Sequence, residues 1–493
     1  MFKRILVANR GEIAVRIIRT CREMGIYAIS LYEKDDLGSL HVRLADECTQ
    51  LPTAKGFLDI DAVIKIAKER QADAIHPGYG FLAERADFIR ACEDAGITFI
   101  GPSAAVVEAM QGKLETLAKA RAAGFTTVQS SPMTFGPNDV EALQAAATEL
   151  TYPLVIKSCQ GGRGQGEHLV TGPQYLEKSL RRSQFESQAV FGKQRVYLEK
   201  AILPAHQIGV QILADQFGNV IHLGEREGSI INSNQKILEE SPAPCLSAEQ
   251  REAIQETAVS LAKLFNYQNA GTVEFLVNGD GTFYFSEFKS RIQVEHSVAE
   301  ARCGLDLVRE QILIAAGEKL QWRQEDIRLN GWSMMVRINA EDPWRDFMPS
   351  PGKLERMRLP GGPDVRVDTY AYTGCRIPSQ YVPLFAKLTV SAPNREICTQ
   401  RMQRALEDFV VNGVPTNLPL LQRVLRAEEF LSGQYNTGFL THPFHEVNKP
   451  IAHLQDLAVA TAVYFMRRNQ LFSPTTPDRF QSRWHQNSRR LPK

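Results

Sequence analysis

Through the first hundred residues, short apolar runs at Ile5–Ala8, Tyr27–Tyr32 and Ala74–His76 alternate with amphipathic runs at Ile13–Met24, Ile60–Arg70 and Phe88–Ala95. Such alternation predicts strands and helices in turn, hence an α/β domain with a mostly parallel sheet. A helix predicted over Gly112–Ala123 leads into a second, more strand-rich α/β region. From Trp332 a third region reads as strands and turns with one helix, Arg395–Val410. A helical run at Leu454–Met466 follows, then a polar end. The stretch FSEFKSRIQVEH, Phe285–His296, reads as one extended strand. Glu287, Lys289, Arg291, Gln293 and Glu295 share one face, and Phe288, Ile292 and Val294 the other. A charged face of this kind belongs to a solvated edge strand or to a ligand site.

A chain of 493 residues exceeds one core and predicts two to four domains. With 57 basic and 56 acidic residues the net charge is +1, which excludes a general nucleic-acid or membrane-surface role and makes any functional charge local. The 8 cysteines occur singly, with no CxxC pair, a pattern of reduced thiols in the cytoplasm and not of a disulfide framework or a cysteine metal site. MFKRILVANRGE lacks a signal-peptide core, and no run of 18 apolar residues occurs.

Several stretches carry chemistry. ANRGEIA, Ala8–Ala14, is a strand-to-helix turn without the dinucleotide fingerprint, and HPGYGFL, His76–Leu82, reads equally as a ligand loop or a tight turn. In VIKSCQGGRGQGEHLV a strand ends at Lys157 and four glycines fill six positions, Gly161, Gly162, Gly164 and Gly166, around Arg163. Backbone amides there approach phosphate closely and the lysine adds a point charge, although a plain flexible hairpin has the same composition and the spacing is not that of a P-loop. Glu274 in GTVEFLV and Glu287 in FYFSEF lie in apolar strands, where a carboxylate needs a salt bridge or a cation; oxygen-only ligands suit magnesium. The turn NGDG, Asn278–Gly281, makes those strands antiparallel neighbours and brings the carboxylates together. YLEKAIL, Tyr197–Leu203, offers backbone groups for an adenine slot.

Lys113, Lys157 with its glycine loop, YLEK, the Glu274 and Glu287 pair, RIQVEH, and RINAEDP at Arg337–Pro343 together resemble the biotin carboxylase family of the ATP-grasp fold, over roughly residues 1–445. HPGYGFL and FIGPSA, Phe99–Ala104, match as well. The resemblance implies a mixed α/β and α+β chain of three parts: an N-terminal parallel-sheet domain at 1–112, a central ATP-grasp region at 113–331 with a mobile lid at about 131–203, and a C-terminal β-rich domain at 332–446, with a tail at 447–493. It implies ATP-dependent carboxylation of biotin by bicarbonate through carboxyphosphate, with magnesium, and with the biotin on a separate carrier protein because no AMKM-type motif is present. A carboxyltransferase subunit, homodimerisation, and membership of an acyl-coenzyme A carboxylase in fatty acid metabolism are implied likewise.

Carried over by position, Lys113, Lys157, Gly161, Gly162 and Gly164 would hold phosphates. Glu199, Lys200 and the Ile202 backbone would hold adenine, and Glu274 and Glu287 magnesium. Lys236, Arg291, Gln293 and the Val294 amide would hold bicarbonate, Glu295 would be the base, and Arg337 would stabilise the biotin enolate. The departures fall mostly on the nucleotide side: Asn234 for a histidine, Ile231–Ser233 for a glutamine and arginine pair, Gln160, Arg163 and Gln165 within the glycine run, and Gln207 for a histidine beside His206. Val382 replaces an aspartate near the biotin pocket, and Lys289 an asparagine beside the metal carboxylates. These departures also allow a weakened or inactive paralogue serving as a structural or regulatory subunit.

Overall fold

The computed structural model describes residues 1–159, 168–191, 195–232, 235–440 and 454–471. It divides into two units, Met1–Leu440 and Thr441–Lys493. In the second, the helix read at Leu454–Met466 is present as Leu454–Leu471; the rest of that tail lies outside the described residues.

The first sheet is parallel, in the order β3-β2-β1-β4-β5, from strands Arg4–Val7 (β1), Tyr27–Tyr32 (β2), Glu47–Gln50 (β3), Ala74–His76 (β4) and Thr98–Phe99 (β5). Its alternation divides the core: Ile5 and Val7 face Ile13, Ile17 and Ile18 of the helix Gly11–Glu23, while Leu6 and Ala8 face Val63 and Ile66. The strand order reverses between β1 and β4, the place where sheets of this kind open a crevice. Here the two loops are tied together, because Asn9 Nδ2 donates to the Pro77 and Tyr79 carbonyls at 2.7 and 2.9 Å. Gly78 has φ +60°, and a Cβ there would lie 3.0 Å from the same Asn9 nitrogen, so glycine is required.

The second sheet is antiparallel and has eight strands in the order β13-β12-β9-β10-β11-β14-β21-β19. They are Ala205–Ala214 (β9), Val220–Asn232 (β10), Gln235–Ser241 (β11), Asn269–Asn278 (β12), Phe283–Lys289 (β13), Trp332–Asn339 (β14), Val365–Thr369 (β19) and Leu384–Ala392 (β21). One face buries Val210, Ile212, Val273 and Phe275 against Ile254, Ala258 and Leu261 of the helix Ala248–Leu264, whose N-terminus is closed by a Ser247–Gln250 capping box. The sheet runs unbroken from the second region into the third, since β11 pairs with β14. Short ladders join Glu341–Asp342 (β15) to Met348–Pro349 (β16), Gly352–Lys353 (β17) to Arg376–Ile377 (β20), and Arg356–Arg358 (β18) to Val410–Asn412 (β22). The helix expected over Arg395–Val410 ends at Asp408, and the short helices Leu418–Val424 and Glu428–Leu431 were not anticipated.

A third, three-stranded sheet has the order β7-β6-β8, from Leu154–Ser158 (β6), His168–Val170 (β7) and Val196–Lys200 (β8). Leu154, Ile156 and Leu198 close its core with Leu143 and Ala147 of the helix Val140–Leu150 and with Leu176 and Leu180 of the helix Pro173–Phe191.

The strand read from Phe285 to His296 is an edge strand, but it stops at Lys289. Ile292, fully buried, enters the core that lies between the first sheet and the second, with Ile5, Val7, Leu213 and Leu223; the helix His296–Cys303 then begins. Burial of one isoleucine overrides a period-two pattern that suits a longer strand.

Candidate active site

The Asn278–Gly281 turn joins β12 to β13 as expected, and Glu274 lies directly opposite Glu287 in the ladder. Glu274 Oε1 accepts from Lys236 Nζ and Gln293 Nε2, each at 2.9 Å. Glu287 Oε2 meets Lys289 Nζ at 2.8 Å and Lys113 Nζ, at the start of the helix Lys113–Ala122, at 3.8 Å. Burial opposes the charge on Glu287, but Lys289, Lys113 and Lys157 outweigh it and hold the carboxyl well below the usual range.

Glu295, 2 % exposed, precedes the helix His296–Cys303. Its Oε1 lies 3.2 Å from Lys236 Nζ and its Oε2 2.9 Å from Arg337 Nη2. The two cations come from β11 and β14, so the ladder between these strands sets their spacing. Burial disfavours the Glu295 carboxylate, yet Lys236, Arg337 and Arg226 lower its pKa well below the ordinary value. Burial likewise disfavours the charged form of Lys236, and Glu274, Glu239 and Glu295 reverse that and raise its pKa. Glu239, on the same strand, is pushed up to about 8 by burial and by the charge on Glu295.

Two further contacts place the turn around Glu295. Arg291 Nε donates to Glu84 Oε2 at 2.9 Å, and Glu84 lies just beyond HPGYGFL. Lys387, wholly buried on β21, donates to the Val294 carbonyl at 3.0 Å and meets Glu12 at 3.2 Å. The contact observed at Val294 is thus through its carbonyl, whereas the expected one was through its amide.

On the side read as nucleotide-binding, Lys157 Nζ on β6 pairs with Glu199 Oε2 on β8 at 2.9 Å, and Tyr197 Oη donates to Glu199 Oε1 at 2.7 Å. Lys200 Nζ caps the Thr151 and Tyr152 carbonyls at 3.0 and 3.1 Å. Ile202 is half-buried in the link to β9. Gly161, Gly162 and Gly164, with Gln160, Arg163, Gln165, Ser233 and Asn234, lie outside the described residues. His206, beside Gln207, has its Nδ1 2.7 Å from Glu227 Oε1. Val382 is exposed.

Sequence reasoning missed four participants. Arg226 on β10, 2 % exposed, donates to Gln293 Oε1 and to Thr272 Oγ1 at 3.0 Å and pairs with Glu239 at 3.2 Å. Arg226 and Glu239 carry the signal that exposed Glu274 and Glu287, a charge inside an apolar strand, in LGEREGSI and KILEES. Lys387 carries the same signal in LFAKLTV. Glu84 had no signal beyond its nearness to HPGYGFL.

Three family models cover this arrangement end to end: the biotin carboxylase N-terminal domain over residues 1–107, the ATP-binding domain of the carbamoyl-phosphate synthase L chain over 113–323, and the biotin carboxylase C-terminal domain over 335–442. The chain belongs to the biotin carboxylase family. It is 44 % identical over 444 residues to biotin carboxylase 1 of Bacillus subtilis, covering 89 % of this chain and 98 % of that one. It is 45 % identical over 451 residues to the biotin carboxylase of Nostoc, covering 91 % and 100 %. The biotin carboxylase domain dimer of Hydrogenobacter thermophilus 2-oxoglutarate carboxylase, solved with MgADP, ADP and bicarbonate, superposes with a TM-score of 0.87 at 42 % identity, covering 90 % of this chain and 97 % of that one. The three-part biotin carboxylase architecture, with its parallel N-terminal sheet, follows.

Proposed function

We propose that this biotin carboxylase uses ATP to carboxylate biotin on a separate carrier protein with bicarbonate, through carboxyphosphate, and that Glu295 is its base. The observation that carries this reading is the buried carboxylate of Glu295 held between Lys236 and Arg337 at 3.2 and 2.9 Å. In the free protein these cations keep Glu295 ionised. A bound bicarbonate would draw on Lys236, Arg291 and Gln293, weaken their hold on Glu295, and so raise its proton affinity where the proton must be taken. Deprotonated bicarbonate then attacks the γ-phosphate of ATP. Arg337, the other cation on Glu295, would next steady the negative charge that develops on biotin.

The opposed carboxylates of Glu274 and Glu287 form an all-oxygen donor pair that fits magnesium. Those two residues would hold it; bound, it supplies charge neutralisation for the phosphates. Lys113 and Lys157, whose charges both reach Glu287, would grip phosphates with Gly161, Gly162 and Gly164, and Glu199, Lys200 and Ile202 would line the adenine slot. The span 131–203, which contains the separate three-stranded sheet, would act as the lid within domains bounded at 1–112, 113–331 and 332–446.

A carrier protein and a carboxyltransferase subunit complete the reaction, with a homodimer of this chain and a cytoplasmic setting; among the described residues no helix is long and apolar enough to cross a membrane. The family resemblance implies an acyl-coenzyme A carboxylase of fatty acid metabolism, while relatives include the small subunit of a 2-oxoglutarate carboxylase. None of the relatives named above is described as an inactive subunit, and the intact Lys236, Glu295 and Arg337 group argues for the enzyme over the structural alternative. Purified protein with ATP, bicarbonate, magnesium and free biotin should release phosphate in a biotin-dependent manner. A folded protein that shows no such turnover and no ATP binding by calorimetry overturns the proposal.

A further inference from the structure

Outside this site, three metal-ligating side chains converge in the second sheet. The ligand atoms of His206, Glu227 and Cys245 all lie within 4.8 Å of one another. They come from β9, β10 and the link between β11 and the helix Ala248–Leu264, so no short spacing in the sequence announces them. The absence of CxxC pairs argued against a cysteine metal site, and that argument reaches only ligands close in sequence.

We propose that His206, Glu227 and Cys245 bind one divalent transition ion of the zinc class. A nitrogen, a carboxylate oxygen and a thiolate are the ligand set such an ion prefers, whereas magnesium and calcium select oxygen alone. Tetrahedral bonds of about 2.0 to 2.3 Å set neighbouring ligand atoms about 3.4 Å apart, so the cluster closes onto an ion with small side-chain shifts. The second observation lies on Glu227, whose side chain is fully buried. Its Oε1 takes His206 Nδ1 and Ser229 Oγ, each at 2.7 Å, while Oε2 meets no nitrogen or hydroxyl donor and the Cys245 thiol is the further group that hydrogen-bonds the carboxylate. A carboxylate in a buried position is costly unless something cationic meets it. Ser229 would orient the carboxylate from behind, the usual place for a supporting donor.

A thiolate is the ligating form, so an incoming ion must displace the Cys245 thiol proton to solvent and form the metal–thiolate bond in its place. His206, with 18 % of its side chain accessible, provides the entry side and leaves the fourth position to water. The ion would fasten the first strand after the Ala201–Pro204 link to the strand beside it and to the start of a long helix. This site lies apart from Glu274 and Glu287, and its occupancy does not depend on the carboxylase reading.

Full-length protein stripped of metal and titrated with Co2+ tests this. One equivalent should bind with a thiolate-to-cobalt charge-transfer band in the near ultraviolet and tetrahedral bands in the visible, and Zn2+ should abolish both. Cys245→Ser and His206→Gln should each remove the charge-transfer band, and Cys48→Ser, which alters an exposed thiol on β3, should leave it. A measurement on the unsubstituted chain guards against misfolded variants: Zn2+ should slow alkylation of Cys245 by about tenfold or more and leave Cys48 unchanged. Absence of the thiolate band, its survival in Cys245→Ser, or equal alkylation rates with and without Zn2+ overturns the site.

Discussion

Replacing Lys289 with asparagine removes a cation that already occupies Glu287. At 2.8 Å and an effective dielectric near 20, the ion pair is worth about 6 kcal/mol of Coulomb attraction. Side-chain accessibilities of 17 % and 25 % admit solvent and leave a net contribution of about 1 to 3 kcal/mol. The larger effect falls on magnesium. An ion on the same carboxylate lies roughly 5 Å from the ammonium, the sum of a metal–oxygen bond of about 2.1 Å and the 2.8 Å pair. Repulsion between a double and a single positive charge at that separation is about 2 to 7 kcal/mol for dielectrics from 80 down to 20. Even the lower figure exceeds the 1.4 kcal/mol or so that corresponds to tenfold in affinity. Lys289→Asn should therefore lower the magnesium Kd at least about tenfold, read by calorimetric titration of Mg2+ into the ADP-loaded protein. Circular dichroism reports whether the variant is folded. An unchanged Kd in a folded variant refutes the placing of Lys289 at the metal site.

Glu295→Gln should lower biotin-dependent phosphate release by about a hundredfold or more while ATP affinity stays nearly constant; a large loss of ATP affinity would show that the residue serves nucleotide and not proton transfer. Glu84→Gln should loosen Arg291 and raise the KM for bicarbonate about tenfold with a smaller change in kcat, and an unaltered bicarbonate KM defeats that role for the pair. His222 has its pKa lowered to about 4 by burial, so its contribution is present above its ordinary pKa of about 6.5 and is lost as pH falls towards 4. Relative to His222→Gln, the unsubstituted protein should lose about 1.4 kcal/mol of stability per pH unit across that window in urea unfolding, and parallel curves refute it.

The strand and helix alternation of the first hundred residues was legible where an apolar run serves one element, as in β1, β2 and β4, whereas the polar β3 and the two-residue β5 were not read. The Glu274 and Glu287 pairing was legible for a related reason: a short turn leaves adjoining strands almost no choice of partner. What escaped were decisions made by distant parts of the chain. Nothing local to Lys289 says that the strand must end there; the core that receives Ile292 is assembled from distant strands of both sheets. Nothing in RINAEDP says that Arg337 stands on a strand hydrogen-bonded to that of Lys236, with about a hundred residues between them in sequence. Arg226, Glu239 and Lys387 were missed for a different reason: each is a charge within a strand whose partners lie on other strands.

The unbroken sheet from β10 through β14 to β21 has an evolutionary consequence. Arg226, Lys236, Glu239, Arg337 and Lys387 all stand on it, so one hydrogen-bonded frame fixes the distances that proton transfer depends on. Lys157, Glu199 and Lys200 stand on a different, three-stranded sheet with its own small core. The segment Thr126–Ser131 is hydrogen-bonded to both, to Phe285 of the first frame and to Leu198 and Lys200 of the second. Gln207, Ile231 and Lys289 stand on the eight-stranded frame itself, so a lineage that reworks its nucleotide grip there does so on the same frame that holds the geometry around its base.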